Sequence, residues 1–289
     1  MLWQRLVPLY ESEEAKAVVR MVLEERFGLS LADVVAGGLS ALSEADAKSL
    51  EALMVRLEAG EPVQYVLGEC TFCGRRFRVG PEVLIPRPET EELCRLIVER
   101  ERALATETSR GKLSFLDIGT GSGCIAITLK AELQALWYME SLEAEAWDVS
   151  EAALQTARQN ADRNHVHVSF RQHDALQAAA EESKRWDFIV SNPPYVCQNE
   201  HATMAPNVLH HEPHEALFVP DDDPLVFYRA IAHYASASLK NRGRLYFEIN
   251  PNHADALVQL LKGKGFQLVE LLEDAFGKKR FISTMKNEE

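Results

Sequence analysis

The chain has 289 residues, 46% hydrophobic and 26% charged, with 31 Lys+Arg against 44 Asp+Glu and a formal net charge of −13. These values fit one sizeable core plus an accessory domain and exclude wholesale disorder, and no apolar run approaches the roughly 20 residues that span a bilayer. The acidity argues against tracking of long nucleic acid, because phosphate contacts call for a basic surface.

The opening Met1-LWQRLVPLYESEEAK lacks the basic-then-apolar order of a secretory signal, so a soluble cytoplasmic protein with reduced thiols at its five cysteines is expected. Residues 1–62 read as a small helical domain. In Ser12-EEAKAVVRMVLEERFG, Ala15, Val18, Val19, Val22 and Leu23 recur near helical spacing. Ser43-EADAKSLEALMVRLEAG repeats the pattern with Leu50, Leu53, Met54 and Leu57. Six basic residues against eleven acidic ones make this segment a poor phosphate clamp and suit it to a protein or ribonucleoprotein partner, or to structural support. Residues 63–85 mix β-formers with Gly68, Gly74 and Gly80 and read as a β-hairpin linker. Pro86 and Pro88 then hold the chain extended, and Thr90 is placed to cap the next helix.

From residue 86 to 289 the pattern is α/β. Strands are predicted at Leu113-SFLDIG, Glu145-AWDV, His165-VHVSFRQHD, Trp186-DFIVSN, Arg244-LYFEIN, Phe266-QLVEL and Arg280-FISTM. Helices are predicted at 123–133, 150–160, 224–239 and 252–264. This alternation predicts a doubly wound, mostly parallel sheet with helices on both faces, its last two strands returning antiparallel. Residues 134–144 read as an insertion carrying Trp137, Tyr138 and Met139, and 178–184 as a surface helix or loop.

Asp117-Ile-Gly-Thr-Gly-Ser-Gly123 ends the first strong strand and opens a helix, the expected place for a ligand in such a sheet. Its G-x-G-x-G spacing is neither the dinucleotide fingerprint nor a P-loop, and it fits a ligand with a carboxylate and an ammonium group. Asp117 is placed to help hold the ammonium, directly or through water. Asp148, at the end of the next strand, is placed to accept both ribose hydroxyls, with Glu145 the competing acid. Asp174 is placed to accept from an adenine amino group. Each of these acids also has an ordinary reading as a turn or strand-end residue.

The sharpest feature is Asn192-Pro193-Pro194-Tyr195, delivered by a strong strand to the same edge as the glycine loop. Two prolines remove two N–H donors and leave carbonyls free to accept. The Asn192 side-chain oxygen and the Pro193 carbonyl can each take one hydrogen of a planar –NH2 group, and Tyr195 offers a flat ring against it. Such a site orients a weakly nucleophilic nitrogen and stabilises positive charge developing on it.

Together with Gln64-YVLG, the stretch from Phe77 through VLIPRPETE, FLDIGTGSGCIAI, DVSEAAL, IVSNPPYV, FEIN and GKKRFI, the tetrad resembles the class I S-adenosylmethionine-dependent methyltransferases. More narrowly, these motifs resemble the peptide chain release factor glutamine N5-methyltransferases of the PrmC/HemK group. They span about residues 61–282, and the helical region before them matches the family's N-terminal domain in position only. The resemblance implies a seven-stranded methyltransferase sheet and a substrate-recognition role for the helical domain. It implies methyl transfer to the glutamine of the Gly-Gly-Gln motif of class 1 release factors, with S-adenosylhomocysteine as product. Carried over, Gly119, Thr120, Gly121, Ser122 and Gly123 bind the methionine part of the cofactor, Asp148 its ribose, and Asp174 with Ala175 its adenine. Asn192 touches cofactor and substrate, and Pro193, Pro194 and Tyr195 line the glutamine site. Family members can carry Trp where this chain has Ala175, and glycine-rich sequence where it has Ala216-LFVPDDDP.

Adenine N6-methyltransferases use similar turns but need a basic groove for a flipped base. A sister enzyme that methylates a ribosomal-protein glutamine has closely similar motifs, and a non-catalytic cofactor-binding module stands as a reading from another class. A monomer without membrane contact, stable nucleic-acid binding, metal requirement or general base is expected. Cys70-x-x-Cys73, the His201, His210, His211 and His214 loop, and the run of Arg75, Arg76, Arg78 and Arg87 read first as core or solvated surface. Zinc at the histidine loop and metal or redox use of the cysteine pair are the alternatives, and an acidic or RNA-associated partner for the arginines weighs equally with a solvated hairpin face. Lys278, Lys279 and Arg280 read as the end of a surface turn.

Overall fold

A computed structural model describes residues 1–107, 112–136, 141–178 and 186–287. The N-terminal region folds as α1 (Ser12–Phe27), α2 (Leu31–Val35), α3 (Glu44–Glu58) and α4 (Val63–Leu67). Gly28, at φ +67°, ends α1, the left-handed stop that glycine adopts without strain. Ser43 accepts from the Asp46 N–H and so starts α3. The helices share a core built on Leu6, Val19, Val22, Met54 and Leu57. Val63 and Val66 join that core, so the helical unit runs past residue 62 before the chain turns to strand.

The linker hairpin is β1 (Glu69–Phe72) and β2 (Arg75–Arg78). Two of its arginines are held by carboxylates of the same chain: Arg75 pairs with Glu132, and Arg76 with Glu69 and with Glu25 of α1, while Arg78 is exposed. Carboxylates of the same chain thus hold part of the run that the sequence offered as a solvated face or a partner contact. Cys70 and Cys73 pack against the sheet-side core.

The remaining elements are α5 (Pro88–Glu107), β3 (Lys112–Ile118), α6 (Cys124–Leu136), β4 (Ser141–Asp148), α7 (Glu151–Arg163), β5 (Ser169–Gln172) and β6 (Trp186–Ser191). They continue as β7 (Val196–Cys197), α8 (Pro206–His211), β8 (Phe218–Val219), α9 (Val226–Ser238), β9 (Leu239–Glu248), α10 (Ala254–Gly263), β10 (Phe266–Glu273) and β11 (Lys279–Lys286). Seven strands form one sheet in the order β10-β11-β9-β6-β3-β4-β5. The five strands β9, β6, β3, β4 and β5 run parallel, and β11 returns antiparallel between β9 and β10.

Alternation along the central strands sorts the core into two layers. Phe115, Phe188 and Val190 face α5 and α6, whereas Leu116, Ile118 and Ile189 face α9 and α10. Burial on both faces is why β3 and β6 read as continuous apolar runs. β5 is an edge strand and keeps four residues of the longer predicted stretch. The expected insertion shrinks from both ends: 134–136 complete α6 and 141–144 begin β4. Trp137, Tyr138 and Met139, and residues 179–184, lie outside the described residues.

Candidate active site

Because β3, β4 and β6 are parallel neighbours, their carboxyl ends release the chain side by side. Ile118 pairs with Ser191 across β3 and β6, and the Ser191 hydroxyl donates to the Ile118 carbonyl at 2.6 Å. The glycine loop and the tetrad therefore leave the sheet at adjacent points. They open into one cleft of about 340 Å³, lined by Gly119, Gly121, Asp148, Asp174, Ala175, Asn192, Pro193 and Pro194.

The loop is held from below. Gly119 and Thr120 both donate to the Trp147 carbonyl at 2.9 Å, and Asn160 of α7 donates to the Ser122 carbonyl at 2.9 Å. A side chain grafted at Gly119 or Gly121 would meet no atom within 4 Å, so the loop leaves open room for a ligand. Gly123 differs. At φ +80°, a Cβ there would stand 2.9 Å from Ile127 Cδ1 and 3.1 Å from Ala157 Cβ. Gly123→Ala is expected to cost about 2–4 kcal/mol, the sum of left-handed strain and overpacking, read as a lower denaturation midpoint.

Asp117 stands off the cleft wall. It is fully buried, and Oδ2 accepts from the Thr120 hydroxyl at 2.6 Å and the Ala126 N–H at 3.2 Å. Oδ2 thus ties the loop to α6 and Oδ1 is buried without a hydrogen-bond partner, behind the wall where the sequence placed the acid to help hold an ammonium directly or through water. Thr120, Ser122 and Gly123 also lie behind the wall that Gly119 and Gly121 form. Burial pushes Asp117 from 3.8 up to about 7, against the two hydrogen bonds that favour its charged form. The folded chain holds this proton to about pH 7, whereas the unfolded chain releases it near 3.8. Stability from this group is therefore lost as pH rises through that window. Asp117→Asn is expected to flatten the fall in denaturation midpoint between about pH 4 and about pH 7.

Asp148 is aimed into the cleft. Oδ2 accepts from the Gly121 N–H at 2.8 Å and Oδ1 from the Ser150 N–H at 2.9 Å. Each oxygen keeps lone-pair capacity for a vicinal diol. Burial raises its pKa, opposed by those N–H groups. Glu145 lies three residues back along β4, where it accepts from the Trp147 indole at 2.7 Å, so the strand end belongs to Asp148. Asp174 caps the short turn 175–177 through the Leu176 N–H. Ala175 shares the wall with Val149, Phe227 and Ile231, so apolar surface surrounds it.

The tetrad is clamped by residues distant in sequence. Tyr195 and Val196 donate through their N–H groups to the Leu217 carbonyl, and β7 pairs with β8. Phe218 and Val219 within Ala216-LFVPDDDP thus form a small parallel sheet with β7 that supports the turn. The Tyr195 hydroxyl donates to Glu248 Oε1 at 3.2 Å, which holds its ring off the cleft wall. Thr90 lies within the first turn of α5 and does not cap it. Its hydroxyl donates to Glu248 Oε2 at 2.7 Å and accepts from Asn192 Nδ2 at 3.3 Å.

This chain of bonds fixes which way the Asn192 amide faces. With Glu248 as the carboxylate it only accepts, and in that state the Thr90 proton goes to Glu248 and the Thr90 oxygen is left to accept from the amide nitrogen. Asn192 Oδ1 is thereby left for a ligand. Glu248 is buried, which raises its pKa. The Thr90 and Tyr195 hydroxyls and nearby Arg280 pull the other way. Arg280 is thus an inward brace, paired with buried Asp274, instead of the end of a surface turn.

A second tie runs from the PRPETE segment. Buried Glu212 accepts from the Ile85 N–H at 3.1 Å and the Arg87 guanidinium at 2.5 Å. Sequence reasoning missed Thr90, Glu212 and Glu248 as site supports. An acid ending the fully buried run Leu245-Tyr-Phe-Glu248 was the available signal. Among the described residues the loop histidines form no metal-capable group, and His201 and His214 pack on Phe218.

Comparison with known proteins agrees with this geometry. Residues 4–68 match the family described as PrmC N-terminal domain, and 101–218 match Methyltransferase small domain. A release factor glutamine methyltransferase of Bacteroides thetaiotaomicron is 41% identical over 97% of this chain and 96% of its own length. The chain belongs to the release factor glutamine methyltransferase family. The enzyme of that name from Flavobacterium psychrophilum is 39% identical over 96% of this chain and 94% of its own length. Fold likeness reaches beyond the family: the structure titled human methyltransferase 10 domain containing protein gives a TM-score of 0.52 at 17% identity, over 95% of this chain and 97% of that one. Among the described residues, no helix is long and apolar enough to cross a membrane.

Proposed function

We propose that this chain transfers a methyl group from S-adenosylmethionine to the side-chain amide nitrogen of the glutamine in the Gly-Gly-Gln motif of class 1 release factors. The observation that carries the reading is the shared cleft, in which the glycine loop and Asp148 stand beside the Asn192 turn that Thr90 braces. Family membership supplies the substrate class. The chain's residues fit the cofactor: Gly119 and Gly121 leave room, Asp148 presents two oriented oxygens, and Asp174 and Ala175 border an apolar wall.

When bound, the cofactor supplies an electrophilic methyl on a sulfonium. The chain does the rest by position. Asn192 Oδ1 and the Pro193 carbonyl accept the two hydrogens of the glutamine –NH2 and fix its plane, while Pro194 and Tyr195 shape the turn that presents them. Donation from Asn192 Nδ2 toward Thr90 and Glu248 draws electron density onto Oδ1, which strengthens it as positive charge grows on the substrate nitrogen. No residue is assigned as general base. The amide proton leaves after or during transfer, to water.

The test is incubation with isotopically labelled cofactor and, separately, a class 1 release factor, the ribosomal-protein candidate and duplex DNA. Label on the release factor is expected. Label on the ribosomal protein or the duplex alone would overturn the substrate assignment, and tight cofactor binding without label on any of them would overturn catalysis.

A further inference from the structure

Among the described residues, one group of metal-capable side chains converges: Cys197, Glu200 and His253, whose ligand atoms all lie within 4.8 Å of one another. Cys197 closes β7 two residues after the tetrad, Glu200 lies in the short helical turn 198–203, and His253 ends the turn that leads into α10. Cys197 Sγ and His253 Nε2 are 3.3 Å apart. Bond lengths of about 2.3 Å to sulfur and about 2.0–2.1 Å to nitrogen, at a tetrahedral angle, put two zinc ligands about 3.5 Å apart, close to the separation already present.

The third ligand is oriented in advance. Glu200 Oε2 accepts from the Cys197 N–H at 2.9 Å and from Asn250 Nδ2 at 2.9 Å, and Oε1 accepts from Asn252 Nδ2 at 2.6 Å. Such outer hydrogen bonds are what fix a carboxylate ligand toward a metal. Cys197 is buried while Glu200 and His253 are half-exposed, which leaves a route in from solvent. A thiolate, an imidazole and a carboxylate are a borderline-soft set that selects zinc over magnesium or calcium.

We propose that Cys197, Glu200 and His253 form a zinc site that clamps the segment following the tetrad to the start of α10. On binding, the Cys197 thiol gives its proton to solvent and its sulfur to the metal, with no change of oxidation state, and water fills the fourth position. The ion has no part in methyl transfer. Its effect reaches the tetrad through Asn250, whose amide nitrogen holds Glu200 and also donates to the Tyr195 carbonyl at 3.1 Å.

The experiment uses the full chain without a histidine tag, stripped with a chelator and titrated with Zn²⁺ against a chromophoric competitor, then repeated with Co²⁺. One ion per chain is expected, with a thermal midpoint that rises on Zn²⁺ addition and a cobalt–thiolate absorption band. Cys197→Ser, a near-isosteric change, is expected to abolish the band. His253→Ala is expected to weaken Zn²⁺ by more than the roughly 10–100-fold that loss of an outer-shell partner costs. A variant carrying His210→Gln and His211→Gln is expected to bind as the parent does. Absence of saturable binding at one ion per chain, or binding unchanged in Cys197→Ser and lost in the double histidine variant, would overturn the site.

Discussion

Asn192→Ala is expected to lower kcat by about 10²–10³-fold, the loss typical when one preorganised partner of a developing charge is removed. The fold should survive, because Asn192 bonds only to Thr90 among the described side-chain partners and sits at the cleft surface. Cofactor affinity should weaken only modestly, since Gly119, Gly121 and Asp148 remain. A kcat deficit with a near-normal KM for cofactor is the signature of an interaction made mainly in the transition state. Steady-state kinetics with release factor as substrate, beside a denaturation curve, checks both halves. Equal kcat for variant and parent would end the assignment of Asn192.

Thr90→Val is the second large effect, and it tests the support instead of the contact. Valine preserves the shape but removes both the acceptor of Asn192 Nδ2 and one donor to Glu248. Leaving a buried polar group unsatisfied costs about 1–3 kcal/mol, so stability should fall by that order. The Asn192 amide then loses the bond that fixes its orientation, and kcat should drop about 10–100-fold, the scale of losing a single orienting hydrogen bond. The pH dependence separates this from plain destabilisation. The Thr90 hydroxyl favours the charged form of Glu248, so its removal raises the Glu248 pKa further. An acid limb in kcat should move to higher pH in Thr90→Val, and Thr90→Ser should restore the parent's profile. An unmoved limb would contradict the relay.

The parts of the site that proved legible are those written in consecutive residues. The glycine loop and the Asn-Pro-Pro-Tyr turn each carry their meaning within a few positions, and strand–helix alternation was enough to place both at one sheet edge. Asp148 was harder. The choice between it and Glu145 rested on where β4 ends, and the strand turned out to begin four residues before the predicted start. Thr90 and Glu248 were not legible as partners, because their bond joins positions 158 residues apart and local spacing encodes nothing about it. The orientation of Asp117 was hidden for a related reason. An acid before a glycine loop reads the same whether its carboxylate faces the ligand or, as here, turns inward to Thr120 and the α6 backbone.

A crystal structure with S-adenosylhomocysteine and a Gly-Gly-Gln peptide tests the central claim most directly. The account predicts the glutamine amide nitrogen about 3 Å from Asn192 Oδ1 and turned toward the product sulfur, with Asp148 on the ribose. A glutamine bound away from the 192–195 turn, or Asn192 Oδ1 rotated onto Thr90, would contradict it.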